Sequence, residues 1–77
     1  NKTYQLVQQL EKLVTYDQMI LEYRFPESVW IHTGYKPQGN RKMAFTMVND
    51  AVYKRDAKGI PSGFILLDSI PPKAKKV

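Results

Sequence analysis

The sequence predicts an α+β fold, in which one N-terminal helix packs on a small antiparallel sheet that belongs to a larger domain. Two observations lead to this prediction. The spacing of apolar residues changes from helical to alternating near residue 16, and a proline turn follows the first alternating run. The chain has 77 residues, enough for at most one small domain, which buries only about 60% of the surface that its unfolded chain exposes. A two-domain enzyme is therefore excluded.

The first predicted element is an amphipathic helix over Thr3–Val14. Its apolar residues recur at helical spacing, with glutamine, glutamate and lysine opposite them. These apolar residues are Leu6, Val7, Leu10, Leu13 and Val14. A stripe of this kind is typical of a helix that packs on a core, so we assign it no functional role.

The next two elements are predicted strands joined as a hairpin over Gln18–Tyr35. In Gln18–Arg24 the side chains alternate, with Met19, Leu21 and Tyr23 on one face. Phe25–Ser28 interrupts this run with a proline, and Val29–Tyr35 resumes the β-prone pattern. A short turn between two such runs indicates antiparallel pairing.

Later strands are predicted where apolar runs stand between segments rich in proline, glycine and other turn residues. The candidates are Met43–Val48, Ala51–Arg55 and Phe64–Leu67. Residues 56–63 contain too many turn formers for regular structure. Residues 71–77 are predicted to be a flexible basic tail of proline and lysine, separate from the domain in residues 1–70.

Composition restricts the classes of protein further. The chain has no cysteine and one histidine, which excludes a disulfide scaffold and a zinc site made of cysteine and histidine alone. No apolar run approaches the roughly 20 residues of a membrane span, so we expect none. The first residue is Asn1 rather than methionine, and we expect the sequence to begin inside a longer gene product.

The net charge of +5 raises the question of nucleic-acid binding. Three of the cations, Lys73, Lys75 and Lys76, stand in the predicted tail. Five others follow turn or strand positions: Arg41, Lys42, Lys54, Arg55 and Lys58. Charges in this pattern usually keep a surface soluble. We therefore expect a solvated surface rather than a nucleic-acid interface.

The histidine, His32, lies in the second strand of the predicted hairpin. A turn centred on Glu27 sets Glu22 directly opposite His32 on the same face, with Cβ atoms about 4.5 to 5.5 Å apart. An imidazole that holds a metal and a carboxylate that accepts a proton from metal-bound water are the groups of a metal-assisted hydrolase. The alternatives are a hydrogen-bonded structural histidine and a cross-strand ion pair that only stabilises the sheet.

Three segments in this order resemble the C-terminal third of the zinc D-Ala-D-Ala carboxypeptidase family, which includes VanY, VanX and hedgehog-like folds. They are Tyr16–Tyr23, Val29–Tyr35 and Gly39–Lys42, about half of the chain. The family pattern is Asp-Gln-Leu-Ile-x-Glu, a hairpin that reads Trp-Val-His-Val-Ser, and an Asn-Arg pair. The version in phage tail proteins and endolysins is the most similar.

The resemblance implies that residues 1–70 are the C-terminal portion of a peptidase that cuts peptidoglycan peptides. His32 would be its last zinc ligand and Glu22 its general base, with Glu27 in the turn as the alternative base. Apart from the resemblance, Arg41 is a candidate to contact a carboxylate bidentately, or else a surface turn residue. Trp30 and Tyr35 are candidates to line a substrate groove, or else core or interface aromatics.

The chain departs from the family in one respect. The other two zinc ligands come from an upstream Ser-x-His-x-x-Gly-x-Ala-x-Asp motif, and nothing in this sequence resembles it. A catalytic zinc site has three protein ligands, so we expect no activity from this chain alone. The expected partners are an upstream peptidase segment or other phage structural proteins, in a virion tail or baseplate. The alternative function is a structural tail component without chemistry, and the isolated chain is expected to aggregate.

Overall fold

The computed structural model describes residues 2–26 and 28–75. One helix comes first and four strands follow it: α1 (Lys2–Leu13), β1 (Gln18–Arg24), β2 (Ser28–Gly34), β3 (Met43–Val48) and β4 (Ala51–Val52). Two 3-10 helices, Leu67–Ser69 and Pro72–Lys75, come after the strands. The strands form one sheet in the order β2-β1-β3-β4. The predicted α+β class and the N-terminal helix are confirmed.

The sheet is mixed, and the prediction of an antiparallel sheet is wrong. β1 pairs antiparallel with β2 but parallel with β3, and β4 returns antiparallel to β3. The cause is the segment 35–42, which carries the chain from β2 past the start of β1 to its other side. The backbone N–H groups of Lys42 and Met43 donate there to the carbonyls of Tyr16 and Asp17, at 3.2 and 2.9 Å. Because the chain has reversed twice by then, β3 runs in the direction of β1.

The core lies between the sheet and α1, on the face that the alternation in β1 predicted. Met19, Leu21 and Tyr23 of β1 are all buried, as predicted for this face, and Ile20 on the opposite face is buried as well. Residues from the helix, from the segment between α1 and β1, from β3 and from the C-terminal segment complete the core cluster: Val7, Tyr16, Val48 and Ile70. These side chains remove apolar surface from water at about 25 cal/mol per Å², which is the main stabilising contribution in a domain of this size.

The helix agrees with its predicted bounds within one residue, but most of its apolar stripe is not core. Val7 is fully buried and Leu10 packs against the core cluster. In contrast, Leu6, Leu13 and Val14 remain 49%, 79% and 41% exposed. The stripe is broader than the contact that one helix makes with this small sheet, so part of it faces solvent.

The predicted strand Phe64–Leu67 is wrong, although its residues do pack against the core. Residues 63–66 have no regular structure, and side chains from the sheet hold them in place. Thr46 Oγ1 donates to the Gly63 carbonyl and accepts from the Ile65 N–H, both at 2.9 Å, and the Tyr23 hydroxyl donates to the Ile65 carbonyl at 2.8 Å. Side-chain hydrogen bonds thus replace a strand ladder.

Two other predictions need correction near the C-terminus. The strand predicted over Ala51–Arg55 is only Ala51–Val52, and Arg55 forms an isolated bridge with Pro61. The predicted flexible tail contains a 3-10 helix over Pro72–Lys75, in which Ala74 packs against the core cluster. Residues 76 and 77 of the tail lie outside the described residues.

None of the helices in residues 2–26 and 28–75 has the length and apolar character that crossing a membrane requires.

Candidate functional site

The candidate site lies on the sheet face opposite α1, which we call the outer face. Glu22 of β1 and Trp30 and His32 of β2 have side chains on this face, because Glu22 alternates with Leu21 and Tyr23 of the core face and pairs with Trp30. Trp30 is 39% exposed and His32 is exposed, whereas Glu22 is half-buried. The face therefore combines a carboxylate, an indole and an imidazole that solvent reaches.

The predicted direct pairing of Glu22 with His32 is wrong by two residues. Glu22 pairs with Trp30, and His32 pairs with Ile20. Arg24 pairs with Ser28, so the turn is centred on Pro26 rather than on Glu27. Moving the centre of a hairpin by one residue moves each partner by two, which preserves the face. Glu22 and His32 are therefore diagonal neighbours on one face, where Cα atoms are typically about 7 to 8 Å apart.

The Glu22 carboxylate is held by the neighbouring indole. Trp30 Nε1 donates to Glu22 Oε2 at 3.2 Å. The Arg24 guanidinium lies 5.9 Å from the centre of the Trp30 ring, within reach of a cation–π contact. Arg24 also forms an ion pair with Asp50. The hypothesis of a Glu22–His32 ion pair is therefore wrong, since Glu22 bonds Trp30 instead.

His32 has no hydrogen bond or ion pair with any of the residues that the structure describes. This excludes, within those residues, the alternative of a hydrogen-bonded structural histidine. An exposed imidazole without a partner keeps both ring nitrogens available to an external group.

The described residues do not form a complete zinc site. They contain no group of three histidine, cysteine, aspartate or glutamate side chains placed to hold a metal ion. A catalytic zinc site takes three protein ligands, and His32 with Glu22 supplies two groups at most. Glu27, the alternative base, lies outside the described residues.

The most strongly organised charged cluster was not predicted from the sequence, and it lies at the start of β1. Asp17 is only 6% exposed. The side chain of Arg41 reaches it as a fork, with Nε to Oδ1 at 2.9 Å and Nη2 to Oδ2 at 2.8 Å, and the Arg41 backbone N–H donates to Oδ1 at 3.1 Å. Lys36 Nζ is 3.6 Å from the same Oδ1. Arg41 therefore binds a carboxylate as proposed, but that carboxylate belongs to the chain itself.

The protonation of this cluster follows from its contacts. The hydrogen bonds from the Arg41 side chain hold the pKa of Asp17 well below its usual range, although burial alone would raise it. The same bonds raise the pKa of Arg41. Both groups are charged at neutral pH and anchor the segment 35–42 where it crosses the start of β1. The sequence signal was a carboxylate directly before one strand and an arginine two residues before its parallel neighbour.

The two candidate groove aromatics are both on the surface. Trp30 lies on the outer face at 39% exposure, and Tyr35 is 67% exposed in the segment after β2. Neither belongs to the core cluster among the described residues, so a core role is excluded for both within that part of the chain.

Comparisons of this chain with protein-family models, with curated proteins and with solved structures found no match.

Proposed function

We propose that this chain is the C-terminal part of a zinc-dependent peptidase of the D-Ala-D-Ala carboxypeptidase type. It acts on peptidoglycan peptides, is associated with a phage tail or baseplate, and is inactive until another polypeptide segment completes its site. The observation that supports this most directly is the outer face. Glu22 and His32 share it, and His32 has no partner among the described residues.

In this proposal His32 is a zinc ligand and Glu22 is the general base. A ligating imidazole must be neutral and must present a free ring nitrogen to the metal ion, and His32 is exposed with no partner among the described residues. The hydrogen bond from Trp30 fixes the orientation of the Glu22 carboxylate while leaving its other oxygen without a hydrogen bond from the described residues. His32 alone does not hold a catalytic zinc ion, so the other protein ligands come from an upstream peptidase segment.

The surface of α1 supports a further packing partner. Leu6, Leu13 and Val14 together leave a large apolar area exposed on one helix. Apolar side chains that cluster on a surface commonly mark an interface. An upstream segment or another phage structural protein would cover them.

The test is a metal analysis of the assembly that contains this chain, together with hydrolysis of a peptidoglycan stem peptide. We expect the isolated chain to lose zinc on gel filtration and the assembly to retain it. His32→Ala should abolish zinc retention, whereas Glu22→Gln should retain zinc and lose hydrolysis. Thr33→Ala, next to the ligand and also exposed, is the matched control and should change neither.

The second candidate function is a structural component of a phage tail or baseplate that performs no chemistry. This function also accounts for the described residues, which hold no group of three metal-binding side chains. An assembly that contains no metal, and that stays intact and functional with His32→Ala, would establish this function in place of the peptidase.

A further inference from the structure

The edge strand β2 has an unusual composition for an exposed sheet edge. It is seven residues long and lies at one end of the strand order. In the described part of the chain, no backbone group outside β1 and the adjoining Asp17 pairs with it. About every second residue therefore directs an N–H and a C=O away from the sheet. Long free edges tend to recruit another strand.

The usual protection against such recruitment is missing within β2 but present at the other edge. β2 reads Ser-Val-Trp-Ile-His-Thr-Gly and contains no proline, lysine, arginine or carboxylate. The opposite edge, β4, has only two residues and is followed after Tyr53 by Lys54 and Arg55. Short edges and edge cations are the features that prevent strand pairing. The two edges thus differ in the way expected if β2 accepts a strand and β4 does not.

Cations stand at both ends of β2. Arg24, opposite the first residue of the strand, and Lys36, two residues beyond its end, have side chains that are each 50% exposed. Arg24 already forms an ion pair with Asp50, and Lys36 shares Asp17 with Arg41. The chain nevertheless carries a net charge of +5. An incoming strand with a carboxylate near each end is complementary to this arrangement.

A second copy of the chain is disfavoured by charge. Antiparallel pairing of two β2 strands about Ile31 places Ser28 of each opposite Gly34 of the other. Each copy then brings its own net charge of +5 to the pair, and this repulsion opposes association of two copies.

We propose that the free edge of β2 binds an extended, acidic strand of a partner protein by β-augmentation. The main-chain hydrogen bonds of β2 supply the affinity, and Arg24 and Lys36 select carboxylates at the two ends of the strand. Trp30 and His32 offer contacts to side chains on the outer face. This binding goes beyond the proposed peptidase function and requires no zinc.

The test uses a synthetic peptide and the isotopically labelled chain, kept below the concentration at which light scattering begins, with binding followed by NMR. The probe is an extended peptide of about nine residues, blocked at both ends, with alternating threonine and valine between terminal glutamates; this length matches β2 and its flanks at about 3.3 Å per residue. We expect shift changes and slowed hydrogen exchange at alternate amides of β2, and none at β4. A peptide with lysine in place of glutamate should bind several-fold more weakly.

Variants on both sides separate strand pairing from other contacts. Lys36→Gln should weaken binding of the glutamate peptide about two- to five-fold, which corresponds to one surface ion pair. Lys58→Gln removes the same charge from an exposed turn and should have no effect. Methylation of alternate backbone nitrogens in the synthetic peptide removes the N–H groups that would pair with β2 and leaves the protein unchanged. This methylation should abolish binding.

Four results would overturn the proposal. The first is the absence of any β2 response at millimolar peptide, the second is equal binding of the glutamate and lysine peptides, and the third is binding of the methylated peptide as strong as that of the unmethylated one. The fourth is protection of β2 amides that appears without peptide and grows with protein concentration, which would make the occupant a second copy.

Discussion

Thr46 is the side chain whose loss should most clearly release the C-terminal segment from the sheet. It is fully buried on the core face of β3, and its hydroxyl makes two hydrogen bonds of 2.9 Å to the backbone of Gly63 and Ile65. Tyr23 holds the carbonyl of the same Ile65. Burial raises the pKa of Tyr23 to about 12, so its hydroxyl remains a donor throughout the neutral range.

The substitution Thr46→Val removes both bonds of the hydroxyl while keeping the shape of the side chain. A buried backbone group left without a partner costs about 1 to 3 kcal/mol, and this change leaves two such groups. Gly63 and Ile65 are only half-buried, so water compensates part of the loss. We therefore take the lower end of the range for each group, which gives a loss of about 2 kcal/mol in the free energy of unfolding for the two groups together. A domain of this length has about 4 to 12 kcal/mol in total. The expected fall in Tm is about 8 to 16 °C.

The assay is urea unfolding of the dilute chain followed by far-UV circular dichroism, with hydrogen exchange of the peptide that spans residues 63–67 as a local readout. Thr33→Val, an exposed threonine on β2, is the matched control and should change the free energy of unfolding by less than about 0.5 kcal/mol. Tyr23→Phe and the double variant complete a cycle, in which we expect coupling of about 0.5 to 3 kcal/mol because both side chains hold Ile65. A Thr46→Val protein as stable as the control, with unchanged exchange at residues 63–67, would refute this reasoning.

Two further predictions concern the charged cluster and the exposed helix stripe. Because the pKa of Asp17 is lowered in the folded state, its contribution to stability is present above the unfolded pKa of about 3.9 and is lost as pH falls below it. The Tm values of wild type and Asp17→Asn should therefore differ most above pH 5 and converge in acid. Asp68→Asn, at an exposed position, should parallel wild type at every pH. Leu13 is 79% exposed, so Leu13→Lys should raise the solubility of the isolated chain more than Gln9→Lys does. Solubility is measured as the concentration at which light scattering begins. Equal effects of the two substitutions would show that added charge, and not the loss of apolar surface, is responsible.

The predictions that succeeded depend on patterns between near neighbours in the sequence. Helical spacing in Thr3–Val14 and alternation in Gln18–Arg24 reflect which side of an element meets the core, and the structure confirms both elements. The hairpin follows from a short turn between two β-prone runs. That Glu22 and His32 share a face also follows from alternation, because an error of two residues in register does not change the face.

The features that only the tertiary structure decided depend on residues far apart in the sequence. Alternation shows which face a strand buries but not which strand lies beside it, so the parallel pairing of β1 with β3 was not predictable from the pattern. Asp17 and Arg41 are brought together by the crossing of residues 35–42, and Ile65 is held by Thr46 and Tyr23 from two different strands. The composition of β2 was readable from the sequence, but that β2 forms a free edge depends on the strand order. Local periodicity thus determined the elements and their buried faces, whereas the order of strands, the ion pair and the free edge arose from long-range contacts that no local pattern encodes.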